Sequence, residues 1–244
     1  MKRYLVELSF DGTAYHGWQV QNNAVTVQST VQDAVEAVYG RRLDITGCSR
    51  TDSGVHAEMF CFHMDAPDMI PADRLPFALN VHLPSDIVVT GCKEVAPDFH
   101  ARYQAKGKQY CYHMYDSEHA NPFLDRFSFY HKGKLDENLL NKAAQSYLGK
   151  HDFSAFCASG SSVEDHVRTV FEAKVERIAD EVVFSVTADG FLYNMVRIMA
   201  GTLMEVAEGS ISVDDLARII RSKDRSKSGR TAAARGLHLK KVLY

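Results

Sequence analysis

The order of strand-like and helix-like segments constrains the fold of this chain more than any other feature. Apolar and polar residues alternate from Arg3 to Phe10, which predicts a half-buried strand. Thr26–Tyr39 carries apolar residues at helical spacing, with Thr26 as the predicted N-cap. The segments that follow are two strands, a short helix with proline in its first turn, and another strand: Leu43–Ser49, Glu58–Asp65, Pro71–Asn80 and Asp86–Val95.

The second half of the chain has the same order of elements, although no repeat is visible in the sequence. We predict a strand, a helix, two strands, a long helix, a shorter helix and a last strand: Lys108–Tyr115, Asp136–Leu148, Phe171–Val175, Val182–Ala188, Phe191–Ala207, Val213–Arg221 and Leu237–Leu243. Two β-α-β-β-α-β units predict an α+β fold of two ferredoxin-like halves. We expect these halves, residues 1–104 and 105–244, to share a mostly antiparallel central sheet with the active-site cleft between them.

Composition excludes several classes of protein. Apolar residues make up 45% and charged residues 24% of the 244 positions, as in an ordinary globular protein. No apolar run approaches the roughly 20 residues of a membrane helix, and the start does not resemble an export signal. The five cysteines are scattered and include no C-x-x-C pair, so we expect neither disulfides nor a metal site, and a cytoplasmic protein.

The charge is unevenly distributed. Residues 218–241 hold nine basic side chains and one acidic one, a local charge of +8. Since the net charge is −3, the rest of the chain carries −11. Such a segment fits a localised contact with a polyanion, but a solvated helix face followed by a lysine-fringed edge strand would have the same composition.

The densest polar cluster lies between two predicted strands. Residues 47–57 read Gly-Cys-Ser-Arg-Thr-Asp-Ser-Gly-Val-His-Ala and include Arg50, Asp52 and His56. A loop held by rigid strands is a common place for a functional site. Asp52-Ser53-Gly54 would also suit a simple Asx turn, so the cluster alone leaves a structural role open.

Two further segments carry candidate functional residues. Tyr110 and Tyr112 share one face of a predicted strand, with Lys106 and Lys108 behind them, which suits stacking of an unpaired base beside a phosphate. Core tyrosines would give the same pattern. Arg197 lies off the apolar stripe of the long helix, one turn before Gly201, and an arginine in so apolar a helix requires a carboxylate partner, for which Asp52 is a candidate.

These segments together resemble the tRNA pseudouridine synthase A family over essentially the whole chain. The matching motifs are Phe10–Thr13 with Tyr15, Gly17 and Trp18; Arg50–Ala57; Phe99–Arg102; Lys108–Tyr112; Gly190–Gly201; and Thr231–Leu237. Ser53 stands where alanine is usual in the family, and Ala233 where proline is usual. The second departure bears on the loop that positions Arg235.

The resemblance implies an enzyme that isomerises uridine in the anticodon arm of tRNA, at positions 38 to 40, as a homodimer and without cofactor or metal. It implies that Asp52 is the nucleophile, that Arg197 is its salt-bridge partner and that Tyr110 stacks on the target base. Arg50 would help to extrude and hold the RNA. We expect His56, Lys108 and Arg235 to bind substrate as well.

Two other functions are compatible with parts of the sequence. A non-catalytic RNA-binding protein of the same fold would use the basic segment and the tyrosines, but not a pair formed by Asp52 and Arg197. Asp11-Gly12-Thr13 is similar to the signature of aspartate-nucleophile phosphatases, but that signature needs an aspartate where Ser9 stands.

Overall fold

The computed structural model describes all 244 residues, Met1–Tyr244, and the chain divides into two compact units. The first unit comprises Met1–Lys106 together with the C-terminal Leu239–Tyr244. The second comprises Gly107–His238. The last residues of the chain thus join the unit in which the chain begins.

The first unit contains the predicted β-α-β-β-α-β order. Its elements are β1 (Lys2–Phe10), α1 (Val27–Tyr39), β2 (Ile45–Gly47), β3 (His56–Ala66), α2 (Leu75–Asn80) and β4 (Ile87–Val95). All strand pairs are antiparallel, in the order β4-β1-β3-β2, which is the order of a ferredoxin-like sheet. Val6, Leu8, Phe60 and Phe62 are fully buried and form the centre of the core.

Helix α1 begins and ends as the sequence predicts. Thr26 is its N-cap, and the Thr26 and Ser29 side chains form a reciprocal capping box. Gly40 ends the helix at a φ of 69°, a left-handed conformation that glycine adopts without strain.

The prediction of a helix starting at Pro71 was wrong. The Pro71 carbonyl accepts hydrogen bonds from the N–H groups of Arg74 and Leu75, which close a turn, and α2 begins only at Leu75. The proline in its first turn is therefore Pro76 rather than Pro71.

The second unit is also built from antiparallel strands, with helices α3 (Glu137–Ala144), α4 (Met195–Ala207) and α5 (Val213–Ser222). Four of its strands are neighbours in the order β5 (Gly107–Tyr115), β9 (Glu181–Ala188), β8 (Val167–Ile178) and β7 (Gly149–Asp152). The two-residue β6 (Phe129–Tyr130) pairs parallel to β5. The last strand, β10 (Leu237–Leu243), begins in this unit, and its residues from Leu239 onward belong to the first unit. The fold is thus mixed α+β and mostly antiparallel, as predicted.

Several boundaries in the second unit differ from the predictions. Helix α3 starts after its N-cap Asp136 but ends at Ala144, where a 3-10 turn, Gln145–Tyr147, takes over. Helix α4 begins at Met195 rather than Phe191, because Asn194 before it has a φ of 58° and cannot belong to a right-handed helix. The short strands β6 and β7 were not predicted.

None of the five helices has the length and apolar character needed to cross a membrane. All five cysteines are free thiols.

Candidate active site

The predicted catalytic loop occupies residues 48–55, between β2 and β3. Asp52 is half-buried in this loop and Arg50 is exposed. The Val55 N–H donates to the Asp52 carbonyl at 3.2 Å, and Gly54 has a φ of 76°, so the chain turns sharply after Asp52. Backbone groups therefore close a tight turn from Asp52 to Val55, and this turn leads directly into a rigid strand.

The segment after β1 fixes the backbone of this loop on both sides of Asp52. The Trp18 N–H donates to the Thr51 carbonyl, and the Gly54 N–H donates to the Tyr15 carbonyl, both at 3.2 Å. Gly17 permits this contact: its φ is 78°, and a Cβ there would lie 2.2 Å from the Thr51 carbonyl oxygen.

Aromatic side chains anchor that segment in turn. The Tyr15 hydroxyl donates to Asp86 at 2.7 Å, and burial together with this contact raises the pKa of Tyr15. The Trp18 ring stacks on Phe60 with centroids 4.1 Å apart. Gly47 leaves room for that ring, since a Cβ there would lie 2.5 Å from Trp18 Nε1. The motif around Tyr15 and Trp18 thus connects the Asp52 loop to the core.

His56, predicted to bind substrate, lies inside the first unit. It is buried, and only 2% of the residue is exposed to solvent. Its Nδ1 accepts a hydrogen bond from the Gly12 N–H at 3.1 Å and lies 3.1 Å from Asp11 Oδ1. A Cβ on Gly12 would lie 2.0 Å from the Val55 carbonyl oxygen, so the backbone at Gly12 also lies directly against the loop.

Arg197 lies in the first turn of α4 in the second unit and is held through its headgroup. Its Nε donates to the Ala232 carbonyl at 2.8 Å, and Nη1 donates to Asn194 Oδ1 at 2.9 Å. The Ala232 N–H donates back to the Arg197 carbonyl at 3.0 Å. The guanidinium therefore has a defined orientation with respect to α4.

The loop 229–236, which carries Ala232, packs closely against α4. A Cβ on Gly201 would lie 1.8 Å from the Arg230 carbonyl oxygen, so the absence of a side chain at Gly201 lets the backbone at Arg230 approach the helix. The buried Tyr112 hydroxyl donates to the Ala233 carbonyl at 2.8 Å, and burial raises the pKa of Tyr112, which keeps this donor protonated. The loop is thus fixed despite the absence of the family's usual proline.

The other predicted residues of the second unit lie on β5 and at the end of the same loop. Tyr110 is only 6% exposed, and its ring meets that of Phe191 edge-on at 5.1 Å. Lys108, two residues earlier, is half-buried on the same face of β5. Arg235 forms an ion pair with Asp125 at 3.1 Å and lies over the Phe129 ring.

Much of the positive charge in residues 218–241 is neutralised locally. Six of its nine cations lie within 4.0 Å of a carboxylate: Arg218 with Asp215, Lys223 with Asp152, Lys227 with Asp224, Arg230 with Glu208, Arg235 with Asp125, and Lys240 with Glu58. Arg225 instead donates to Ser228, Gly229 and Thr231 within its own loop. The segment is therefore a weaker attractor of polyanions than its composition suggests.

Sequence reasoning missed two supports of the predicted site. Asn194 orients Arg197, and an asparagine in the first turn of the predicted helix could have indicated a left-handed residue there. Phe191 contacts Tyr110 although it is far from it in sequence, and no sequence signal marks that contact.

The chain matches a family model described as tRNA pseudouridine synthase over residues 8–104 and 143–244. The chain belongs to the tRNA pseudouridine synthase family. Asp52, Arg197 and Arg235 lie in the matched ranges, whereas Tyr110 and Lys108 lie in the segment between them. Full-length relatives span that segment as well.

Among these tRNA pseudouridine synthase relatives, proteins named tRNA pseudouridine synthase A are similar over their whole length. That of Acetivibrio thermocellus is 47% identical over 244 residues, covering 100% of both chains. That of Clostridium acetobutylicum is 44% identical with the same coverage, and that of Halalkalibacterium halodurans is 41% identical over 97% of this chain and 90% of its own. The family resemblance drawn from the motifs is confirmed.

Proposed function

We propose that this member of the tRNA pseudouridine synthase family converts uridine to pseudouridine at positions 38 to 40 in the anticodon arm of tRNA, with Asp52 as the nucleophile. Membership of the family and the names of the full-length relatives support the reaction and the tRNA substrate. One observation carries the choice of Asp52: its loop is fixed by Tyr15 on one side and Trp18 on the other, while the carboxylate stays half-buried. The alternative of a non-catalytic RNA-binding protein is not favoured.

The reaction suits a carboxylate. The N1–C1′ bond of uridine breaks, the base turns, C5 bonds to C1′, and the C5 proton is lost to solvent while N1 gains one. Asp52 can start this by attack on C1′, by removal of the C2′ proton to give a glycal, or by attack on C6 of the ring. No net oxidation or loss of atoms occurs in any of the three, so we propose that the reaction needs no cofactor or metal.

Arg197 and Tyr110 complete the proposed chemistry. The guanidinium of Arg197 would keep the Asp52 carboxylate ionised and oriented. Its fixed geometry on α4 supports that role, because Ala232 and Asn194 leave it little rotational freedom. Tyr110 would stack on the extruded uracil and offset part of the cost of unstacking it.

Four other residues are proposed to bind the RNA. Arg50 is exposed beside Asp52, which supports a role in extruding and holding the nucleotide. Lys108 and Arg235 would contact phosphates. For Arg235 this requires that a phosphate replace Asp125 as the partner of its guanidinium. His56 supports the loop from inside the unit, and its direct contact with RNA stays a prediction.

Tritium release from tRNA labelled at C5 of uridine tests the reaction, with EDTA present and no cofactor added. We expect release by the wild type, and its loss by about four orders of magnitude in Asp52→Asn with tRNA affinity largely unchanged. Asp44→Asn, an exposed carboxylate just before β2, is the matched control and should behave as the wild type.

The outcomes separate the alternatives. Release that requires a metal would contradict the cofactor-free proposal, and unchanged release in Asp52→Asn would contradict the nucleophile. Equal loss of affinity and release in Asp52→Asn would make Asp52 structural and favour the RNA-binding alternative.

We also propose that the protein acts in the cytoplasm as a homodimer. Sedimentation at working concentration should then give twice the chain mass of 27.3 kDa. A single species at the chain mass would contradict the dimer.

A further inference from the structure

The segment 99–103, which follows β4 in the first unit, is held rigidly although it forms no helix or strand. The Phe99 ring lies 5.2 Å from that of the C-terminal residue Tyr244, and the Phe99 carbonyl accepts a hydrogen bond from Arg3 Nη1 at 3.0 Å. Ala101 is fully buried, and its carbonyl accepts from the Tyr244 hydroxyl at 2.7 Å. The roles proposed for this family's reaction do not use the segment.

Three aromatic rings form a column that runs outward from the core through this segment. His63 is buried, His100 lies 4.8 Å from it, and Tyr103 lies 4.2 Å from His100 at an interplanar angle of 31°. The exposed end is Tyr103, which is 77% exposed. We call His63, His100 and Tyr103 the aromatic column.

Hydrogen bonds fix the orientation of the two histidine rings in the column. His100 Nδ1 accepts from the N–H groups of Arg102 and Tyr103 at 3.2 and 3.3 Å, which sets the orientation of the ring. His63 Nδ1 accepts from the Ala101 N–H at 3.1 Å. Burial lowers the pKa of His63 to about 4, so this ring is neutral and able to accept at neutral pH.

The exposed end has the chemistry of a nucleotide site. Tyr103 is mostly exposed to solvent, yet its ring lies against that of His100. The Arg102 guanidinium lies 6.0 Å from the Tyr103 ring centroid, and Lys106 is exposed three residues further along. An exposed aromatic ring close to a cation recognises an unpaired base and its phosphate, and because the ring is already ordered, binding costs little conformational entropy.

We infer that Tyr103, backed by His100 and flanked by Arg102, is a stacking platform for an unpaired base of the RNA substrate, separate from the Asp52 loop. The identity of that RNA as tRNA rests on the proposed function. Protein partners are a weaker fit because the surface is a single ring beside a cation and not an apolar patch.

Binding of unmodified tRNA by Tyr103→Ala tests the platform. We expect Kd to rise roughly 5- to 150-fold, the range that loss of one stacked base gives, while kcat at saturating tRNA stays within about twofold. Tyr103→Trp should bind nearly as the wild type because it keeps a stacking face. Phe77→Ala is the matched control, since Phe77 is an aromatic residue of the same unit that is 68% exposed on α2.

A second variant separates stacking from charge. Arg102→Gln should weaken binding and reduce the slope of log K against log salt by about one, whereas Tyr103→Ala should leave that slope unchanged. Unchanged tRNA affinity in Tyr103→Ala would overturn the platform. If that variant instead changed the sedimentation of the protein alone, the surface would be a contact between copies, which also overturns it.

The same measurements keep this inference distinct from the proposed function. Tritium release by the wild type with normal affinity in Tyr103→Ala would refute the platform only. Weakened RNA binding in Tyr103→Ala without any release by the wild type would refute the proposed reaction only.

Discussion

The Asp52 loop in the first unit and the start of α4 in the second hold their charged residues in different ways. Asp52 is positioned by its backbone, through hydrogen bonds that its neighbours Thr51 and Gly54 form with Trp18 and Tyr15. Arg197 is positioned by its headgroup, through the Ala232 carbonyl and Asn194. The difference suits the two side chains: a short carboxylate goes where its backbone goes, whereas a long guanidinium has rotamers that only contacts at its end can restrict.

Both regions nevertheless depend on a glycine at the point where two backbone segments come closest to each other. Gly17 faces the Thr51 carbonyl in the first unit, and Gly201 faces the Arg230 carbonyl in the second. In each case a methyl group would overlap a backbone oxygen. We therefore expect glycine substitutions to disturb both residues, whereas loss of a single hydrogen bond from a neighbouring side chain, that of Asn194, should disturb Arg197.

The largest effect is expected from Gly17→Ala. A Cβ would overlap the Thr51 carbonyl oxygen at a position with φ of 78°, so we expect a loss of about 3 kcal/mol or more in unfolding free energy, and loss of tritium release. Denaturant unfolding measures the first. Gly40→Ala is the control: φ is 69° but no atom lies within 4 Å, so only about 1 kcal/mol should be lost, with activity retained. Equal losses in the two variants would show that the contact with Thr51 is unimportant.

Gly201→Ala should have a smaller effect on stability. The overlap with Arg230 is partly offset by the better helix propensity of alanine, so we expect a net loss of about 2 kcal/mol. Activity should fall further than stability because a displaced Arg230 moves Ala232 and with it Arg197. Gly91→Ala is the control: the atom nearest to the new Cβ would be 3.6 Å away, so stability and activity should both be nearly unchanged. Full activity of Gly201→Ala would mean that Arg197 does not depend on the 229–236 loop.

Asn194→Gly tests the headgroup contact alone. Glycine keeps the left-handed backbone at this position but loses the 2.9 Å hydrogen bond to Arg197 Nη1. We expect a loss of about 1 kcal/mol in unfolding free energy. We also expect a roughly tenfold lower kcat, which single-turnover tritium release measures. Asn194→Asp, which keeps an acceptor, should restore most of the rate. An unchanged rate in the glycine variant would show that the hydrogen bond from Asn194 is not needed to position Arg197.

The smallest effect, and the only stabilising one, is expected from Ala233→Pro. The backbone of Ala233 has φ of −59° and ψ of 144°, which proline adopts without strain. We expect a gain of about 0.4 to 1 kcal/mol in unfolding free energy, measured by denaturant unfolding. Activity should be unchanged because Tyr112 already fixes the loop. A loss of stability would show that the loop has adapted to alanine.

Local signals predicted most of the secondary structure, and their failures have local causes. Thr26 caps α1 as expected because a capping side chain and the helix it caps are neighbours in sequence. The start of α2 was misplaced because a proline suits both a turn and the first turn of a helix. Strands β6 and β7 are too short, at two and four residues, to display an alternating pattern.

For the candidate site, the sequence by itself determined which residues carry charge and aromatic character, and the motifs that identify the family. It also determined that a polar loop joins two strands at Asp52, because alternation and turn residues act over a few positions. Only the tertiary structure decided which distant backbones meet. The contacts of Gly17 with Thr51, of Gly201 with Arg230, and of His63 with His100 join residues 29 to 37 positions apart in the chain, and such contacts form only when a hydrophobic core brings whole elements together.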